Sequence, residues 1–272
     1  MTEELTSALE VLGLAVAVVV LAQAVTAVIA LRVGRVSVVD VTWGLGFVAI
    51  ALAGALFGDG TPWRRFLVLA LVAGWGLRLA WHISRKHAGS AQPTAEDPRY
   101  AELLGGRGLR EGGFAIAVRK VFLIQGAATL VVSLPVLAAM ALPVRWPWLV
   151  ALGVIIWAIG VFFEIVGDAQ LTAYRKLSTR PAVLDTGLWA WTRHPNYFGD
   201  ACGWWGLWLV GGAASGWLVA VVTVIGPIAM TYFLAFATGA RLLEQTMMRR
   251  QGYPEYAART AMFLPRPPRR SA

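Results

Sequence analysis

The chain has 272 residues, of which 58% are hydrophobic and only 14% charged, and its mean hydropathy is +0.63. An ordinary water-soluble domain carries about 25% charged residues, so this composition excludes one and points to a chain whose solvent is lipid. The formal charge of +9 does not indicate nucleic acid, because the basic residues fall between apolar spans instead of forming one polar face.

Crossing a bilayer takes about 20 apolar residues as a helix, and several uncharged stretches reach that length. Alternating strand patterns are absent, so helices are predicted. Seven spans are read in chain order, over residues 5–31, 36–57, 64–84, 114–141, 147–174, 196–212 and 215–240. The start, Met1 to Glu10, carries Glu3, Glu4 and Glu10 where a signal peptide would be basic, so the first helix is read as retained. The connection over 86–112, rich in Gly, Pro and mixed charge, reads as an ordered loop. The sixth span is short, and the tail after about residue 241 starts as a helix and ends in Pro265, Pro267 and Pro268. Cys202 is the only cysteine and lies in an apolar stretch, which excludes an intrachain disulfide and a CxxC-type metal site; no metal is expected.

Placing the N-terminus outside puts Arg32, Arg35, the 85–120 and 175–193 connections and the C-terminal tail on the cytoplasmic side. Those segments then hold all but four of the 24 Lys and Arg: Arg64, Arg65 and Arg145 lie in the opposite loops and Arg78 within a span. That asymmetry follows the positive-inside rule. The expected fold is all-α and polytopic, with seven transmembrane helices, the N-terminus outside and the C-terminus cytoplasmic.

An ionisable group at membrane depth costs about 2.5–3.5 kcal/mol on insertion scales, so each one is a functional candidate. They recur here at helical spacing: Asp40 with Trp43, Gly44 and Phe47; Arg78 with His82 and Arg85; Glu164 with Asp168 and Arg175; Asn196 with Asp200 and Gly203. Each set shares one helix face near the cytoplasmic end, so together they could line one polar cavity. Structural readings compete. Asp40 and Trp43 also suit a helix cap and an interfacial anchor. Arg78 needs a partner of opposite charge, and the like charges of Glu164 and Asp168 need a cation between them.

The most specific string is Gly187 to Asp200, containing Arg193, His194, Pro195, Asn196, Tyr197, Phe198, Gly199 and Asp200. Pro195 starts a helix, Asn196 and Asp200 share its inner face, and Gly199 and Gly203 allow close approach to the backbone. This string resembles the bacterial branch of the steroid 5α-reductase superfamily. So do Glu164 to Leu171, Asp40 to Gly44, Leu242 to Glu244, and the Gly252, Tyr253, Pro254, Glu255, Tyr256 run, and the similarity covers nearly the whole chain.

The resemblance implies one membrane-embedded reductase domain over 1–272 in a bacterial inner membrane. Residues 1–110 would supply the substrate-side helices and cytoplasmic loop, and 111–272 the cofactor-binding half. It implies NADPH as cofactor, bound from the cytosol, and reduction of a carbon–carbon double bond conjugated to a carbonyl in a steroid-like or other lipid substrate. Asn196 and Asp200 match residues contacting the nicotinamide half, Glu164 and Asp168 match residues lining the same pocket, and Arg175 matches an arginine near the phosphates or adenosine. Arg78, Arg85, Arg193, His194, Tyr197, Glu244, Tyr253 and Tyr256 complete the expected cofactor set, guanidinium being well suited to phosphate. No Rossmann glycine motif follows a strand, so cavity walls would bind the dinucleotide.

On the substrate side the eukaryotic steroid enzymes carry a Gln-Glu pair and a tyrosine, where this chain offers Asp40, Trp43 and His82. A protonated His82 or a neutral Asp40 is expected to donate to a developing enolate oxygen. The Arg-His-Pro-Asn-Tyr string also resembles S-adenosylmethionine-dependent isoprenylcysteine and phospholipid methyltransferases. Those enzymes show paired glutamates in the terminal helix, whereas Gln245 follows Glu244 here.

Overall fold

Apolar runs of about 20 residues satisfy their backbone groups in lipid only by coiling into helices. In the computed structural model, which describes residues 2–88 and 95–267, every regular element among the described residues is helical. Helix α1 (Thr2–Val33) is followed by a short 3₁₀ turn and α2 (Val39–Phe57), then α3 (Pro62–Ala88) and the short α4 (Pro98–Leu103). A rod over Leu109–Val132 contains α5 (Phe114–Ala117), a π-type turn and α6 (Leu123–Val132), and α7 (Leu134–Ala141) continues from it. Helices α8 (Pro147–Arg175) and α9 (Pro195–Gly211) pair closely. The last rod, Trp217–Met247, comprises α10 (Trp217–Thr223), α11 (Ile225–Tyr232), a second π-type turn and α12 (Ala240–Met247), and α13 (Tyr253–Arg259) follows it.

Six of these helices are long and apolar enough to cross a membrane: Thr2–Val33, Val36–Phe57, Pro62–Arg85, Leu109–Val132, Pro147–Arg175 and Trp217–Met247. The chain is membrane-embedded on that ground. The predicted sixth span, 196–212, appears as α9, whose 17 residues fall short of that length. The span predicted over 114–141 divides at Ser133, because Pro135 has no N–H to continue the ladder. Beyond that break α7 is buried from Pro135 to Ala141 and plugs the bundle. The final span continues to Met247 instead of ending at residue 240.

The pairing of α8 with α9 rests on glycines. A Cβ on Gly153 would lie 2.6 Å from the Gly206 carbonyl oxygen, and one on Gly160 would meet the Gly199 carbonyl and lie 2.7 Å from the Gly203 nitrogen. Backbones thus touch directly, and the side chains that follow, Glu164 and Asp168 on α8 and Asn196 and Asp200 on α9, are brought face to face. Beside them α2, α3 and α9 meet in an aromatic cluster. Phe47 packs against Trp43 at 5.0 Å, Trp75 at 5.7 Å and Trp204 at 4.6 Å between ring centroids.

Arg64, expected in an outer loop, is instead fully buried near the start of α3. Its guanidinium donates to Ser215 Oγ at 2.9 Å and to the Leu142 carbonyl at 2.5 Å, with longer contacts to the Ala139 and Val210 carbonyls. These carbonyls lie at the C-terminal ends of α7 and α9, where a helix leaves acceptors unpaired and favours a cation. Arg64 is therefore the joint that ties both helix ends to α3.

Replacing Gly160 by Leu should force α8 and α9 apart and lower stability by about 1–3 kcal/mol. Gly13→Ala, where an added Cβ meets nothing within 4 Å, should melt like the parent. Thermal melting of the detergent-purified chain checks both; equal midpoints for all three proteins would contradict the glycine seam.

Candidate functional site

At the end of the bundle where α2, α6 and α9 begin and α3 and α11 finish, the helices enclose a cavity of about 760 Å³. That volume lies within the roughly 300–1,000 Å³ of small-molecule sites. Its wall is apolar on the side of α6 and α11, with Ile124, Ala128, Met230, Phe233 and Leu234, and polar on the side of α2 and α9, with Asp40, Tyr197 and Asp200. Residues 95–100 and Leu103, in and just before α4, also line it.

That segment is held by carboxylates. Glu96 accepts hydrogen bonds from the Val36 and Ser37 backbone N–H groups at 2.5 and 3.1 Å, capping the turn that leads into α2. Asp97 accepts from the Arg99 N–H at 2.9 Å and caps α4. Arg99 then bridges Asp97 at 3.0 Å and Asp40 at 3.2 Å, while Tyr100 donates its hydroxyl hydrogen to the other Asp40 oxygen at 2.5 Å. Burial, reinforced by the facing Asp40 carboxylate, raises the Tyr100 phenol well above its usual range. The hydrogen bond to Asp97 outweighs burial and holds Arg99 firmly protonated. Tyr100 therefore enters the cavity wall as a neutral O–H, and Asp40 is fixed from both sides.

Behind the wall lies a second network. Arg78 of α3 forms an ion pair with Glu164 and another with Asp168 at 3.2 Å, and Asn196 donates to the second Asp168 oxygen at 3.4 Å. The Glu164 side chain is only 4% exposed. A cation thus stands between the two like charges, as their spacing required. Asp200 lies next in line. Its Oδ1 is buried near the indole N–H groups of Trp75 and Trp204, yet none of the three atoms completes a hydrogen bond of good geometry.

The third network ties the C-terminal segment to the Arg193 loop. Arg193 grips Glu244 through two bonds of 2.6 and 2.8 Å and donates to the Ala257 and Thr260 carbonyls at 2.8 and 2.5 Å. His194 Nε2 meets Glu244 at 3.1 Å and its ring stacks on Tyr197, 5.5 Å between centroids. Tyr253 approaches Glu244 at 3.4 Å, and Tyr256 donates to the Trp189 carbonyl at 2.6 Å. Burial pushes the Tyr253 hydroxyl up to about 12 and raises that of Tyr256 as well, so both stay protonated.

The predicted residues accordingly separate. Asp40, Trp43, Tyr197 and Asp200 line the cavity; Arg78, Glu164, Asp168 and Asn196 form the layer behind it. Arg193, His194, Glu244, Tyr253 and Tyr256, expected in the cofactor set, direct polar atoms to one another and to the C-terminal segment. His82, Arg85 and Arg175 are exposed and outside the cavity wall. Arg85 lies 4.8 Å over the Trp81 ring. His82, expected on the substrate side, is an exposed residue of α3.

Sequence reading missed Glu96, Arg99 and Tyr100, and also Lys120 and Gln125 in the wall. The Asp97-Pro98 start of α4 was the available signal, a cap followed by proline at the first helical position.

An all-helical membrane protein with a charged hollow among its helix ends is the class these features define. Residues 26–260 match the family described as "Protein of unknown function (DUF1295)", and the chain belongs to that family. Comparison with curated proteins gave no match, and comparison with solved structures gave none.

Arg78→Gln should leave Glu164 and Asp168 buried and uncompensated and cost about 3–5 kcal/mol. Adding Glu164→Gln should recover part of that loss. A double-mutant cycle by thermal melting measures the coupling, and additive losses would contradict the ion pair.

Proposed function

We propose that this chain is an NADPH-dependent membrane reductase that saturates a carbon–carbon double bond conjugated to a carbonyl in a lipid or steroid-like substrate. The observation that carries the reading is the cavity in which the Asp40–Tyr100 pair and Asp200 face an apolar wall. The resemblance to the steroid 5α-reductase superfamily supports it. On this reading α9 is the seventh crossing, the N-terminus is outside and the C-terminus cytoplasmic. The cavity mouth then opens to the cytosol of the inner membrane, where the nucleotide is found, and residues 1–272 act as one domain.

The residues present fit the nicotinamide half of the cofactor. Trp43 and Tyr197 offer flat faces in the wall, and Lys120 and Arg35 supply positive charge at its edge for the phosphates. Arg78 and Arg193 are committed to carboxylates and serve instead to hold the wall in place. NADPH, when bound, supplies a hydride to the β-carbon of the substrate.

Everything else falls to the chain. Tyr100 is a neutral donor, and a substrate carbonyl oxygen in the cavity competes with Asp40 for its hydrogen. When Tyr100 turns to that oxygen, Arg99 keeps the Asp40 carboxylate compensated. Charge developing on the oxygen is thereby met by a preorganised donor in a hollow of low dielectric. Met230, Phe233 and Leu234 hold the apolar body of the substrate and exclude water.

With NADPH and a panel of α,β-unsaturated lipid ketones, the purified chain should oxidise the nucleotide. Tyr100→Phe should lower turnover by about 10²–10⁴-fold, the range for a positioned acid. His82→Ala should leave it within about twofold, since removal of an exposed group outside the cavity takes nothing from the transition state. Full activity in Tyr100→Phe would remove the assigned donor; no oxidation with any enone would remove the reading itself.

A further inference from the structure

The buried charges do not balance. On the inner faces of α3, α8 and α9, Arg78 meets Glu164 and Asp168, and Asp200 follows one turn beyond Asn196. Three carboxyl groups thus share one guanidinium. The other groups facing Asp200 are neutral: Trp75 from α3, and Tyr197 and Trp204 from α9. Arg99 acts on Tyr197 and is already paired with Asp40 and Asp97, and Lys120 and Arg35 lie elsewhere on the cavity wall. Arg78 is the cation whose charge acts on Asp200, and it is in contact with the other two carboxylates.

Asp200 is part-buried with its Oδ1 shielded from solvent, and a carboxylate so placed with no cation in contact is costly enough that it takes a proton instead. Glu164 and Asp168 each hold a contact with Arg78, whereas Asp200 feels the Arg78 charge without an ion-pair contact and has an Oδ1 that completes no good hydrogen bond with the nearby indoles. Asp200 also borders the cavity, which Glu164 and Asp168 do not. We infer that Asp200 is a proton-carrying acid: it holds one exchangeable proton at neutral pH and hands it to whatever occupies the hollow.

In the reduction proposed above, on which the delivery step rests, this proton completes the balance. With a hydride that the cofactor would supply to the β-carbon, the π electrons would move onto the carbonyl oxygen as an enolate. The enolate returns its electron pair to form a C–H bond at the α-carbon while the Asp200 O–H bond breaks. The Asp200 carboxylate then regains a proton from water at the mouth. Tyr100 and Asp40 thus manage the oxygen, and Asp200 the carbon.

Infrared spectroscopy of the purified full chain, without nucleotide, reads the proton directly, and its outcome is independent of any reductase activity. The wild type should show a carboxylic acid C=O band at neutral pH that shifts in D₂O. Asp200→Asn should remove it, Asp168→Asn should keep it, and Asp200→Glu should keep a displaced band, which guards against a variant that merely misfolds. Absence of the band from the wild type, its survival in Asp200→Asn, or its loss on adding Na⁺ at constant pH would overturn the inference; the last would make the occupant a metal cation.

Discussion

Arg78 stands where three helices meet, and its charge permits the arrangement around it. Glu164 and Asp168 lie one turn apart on α8, and two carboxylates so placed repel each other when water is excluded. The guanidinium from α3 contacts both. Removing Arg78 would leave both carboxylates uncompensated at membrane depth. That mutual dependence fixes the rotation of α3 against α8 and therefore which of its residues turn inward. His82 and Arg85, one and two turns further along the same face of α3, are exposed.

The glycine seam supplies the other half of the constraint. Without Cβ atoms at Gly153, Gly160, Gly199 and Gly206, α8 and α9 share backbone contact. That proximity sets Asn196 against Asp168 and leaves Asp200 at the cavity wall. Packing in lipid draws on close van der Waals contact because apolar burial gives little drive there. The same seam that joins the helices thus also assembles the polar layer.

Much of this was legible in the sequence. Composition and run length gave the helical membrane class, and helical spacing grouped Glu164 with Asp168 and Asn196 with Asp200. The requirement that Arg78 find an acid follows from the cost of an unpaired charge in lipid. Other features were hidden because they depend on distant contacts. Tyr100 and Glu96 belong to a connection whose docking on α2 leaves no periodic signal, and Arg64 looks like a loop cation until its carbonyl partners are seen. The Arg193 string is distinctive in sequence, yet its guanidinium, the His194 ring and Glu244 close on one another and on the tail. A spacing rule identifies such a cluster as polar and buried but does not say whether it holds a ligand or another piece of the chain.

The account stands on the hollow bounded by Asp40, Tyr100 and Asp200 being a dinucleotide site. Direct titration of the detergent-purified chain with NADPH and, separately, with S-adenosylmethionine tests this, using quenching of tryptophan fluorescence with Trp43→Phe as the reporter control. Saturable binding of NADPH with a response that weakens in the control, and none with S-adenosylmethionine, is the expected result. Saturable binding of S-adenosylmethionine without NADPH binding would contradict the assignment and make the chain a methyl-transfer enzyme.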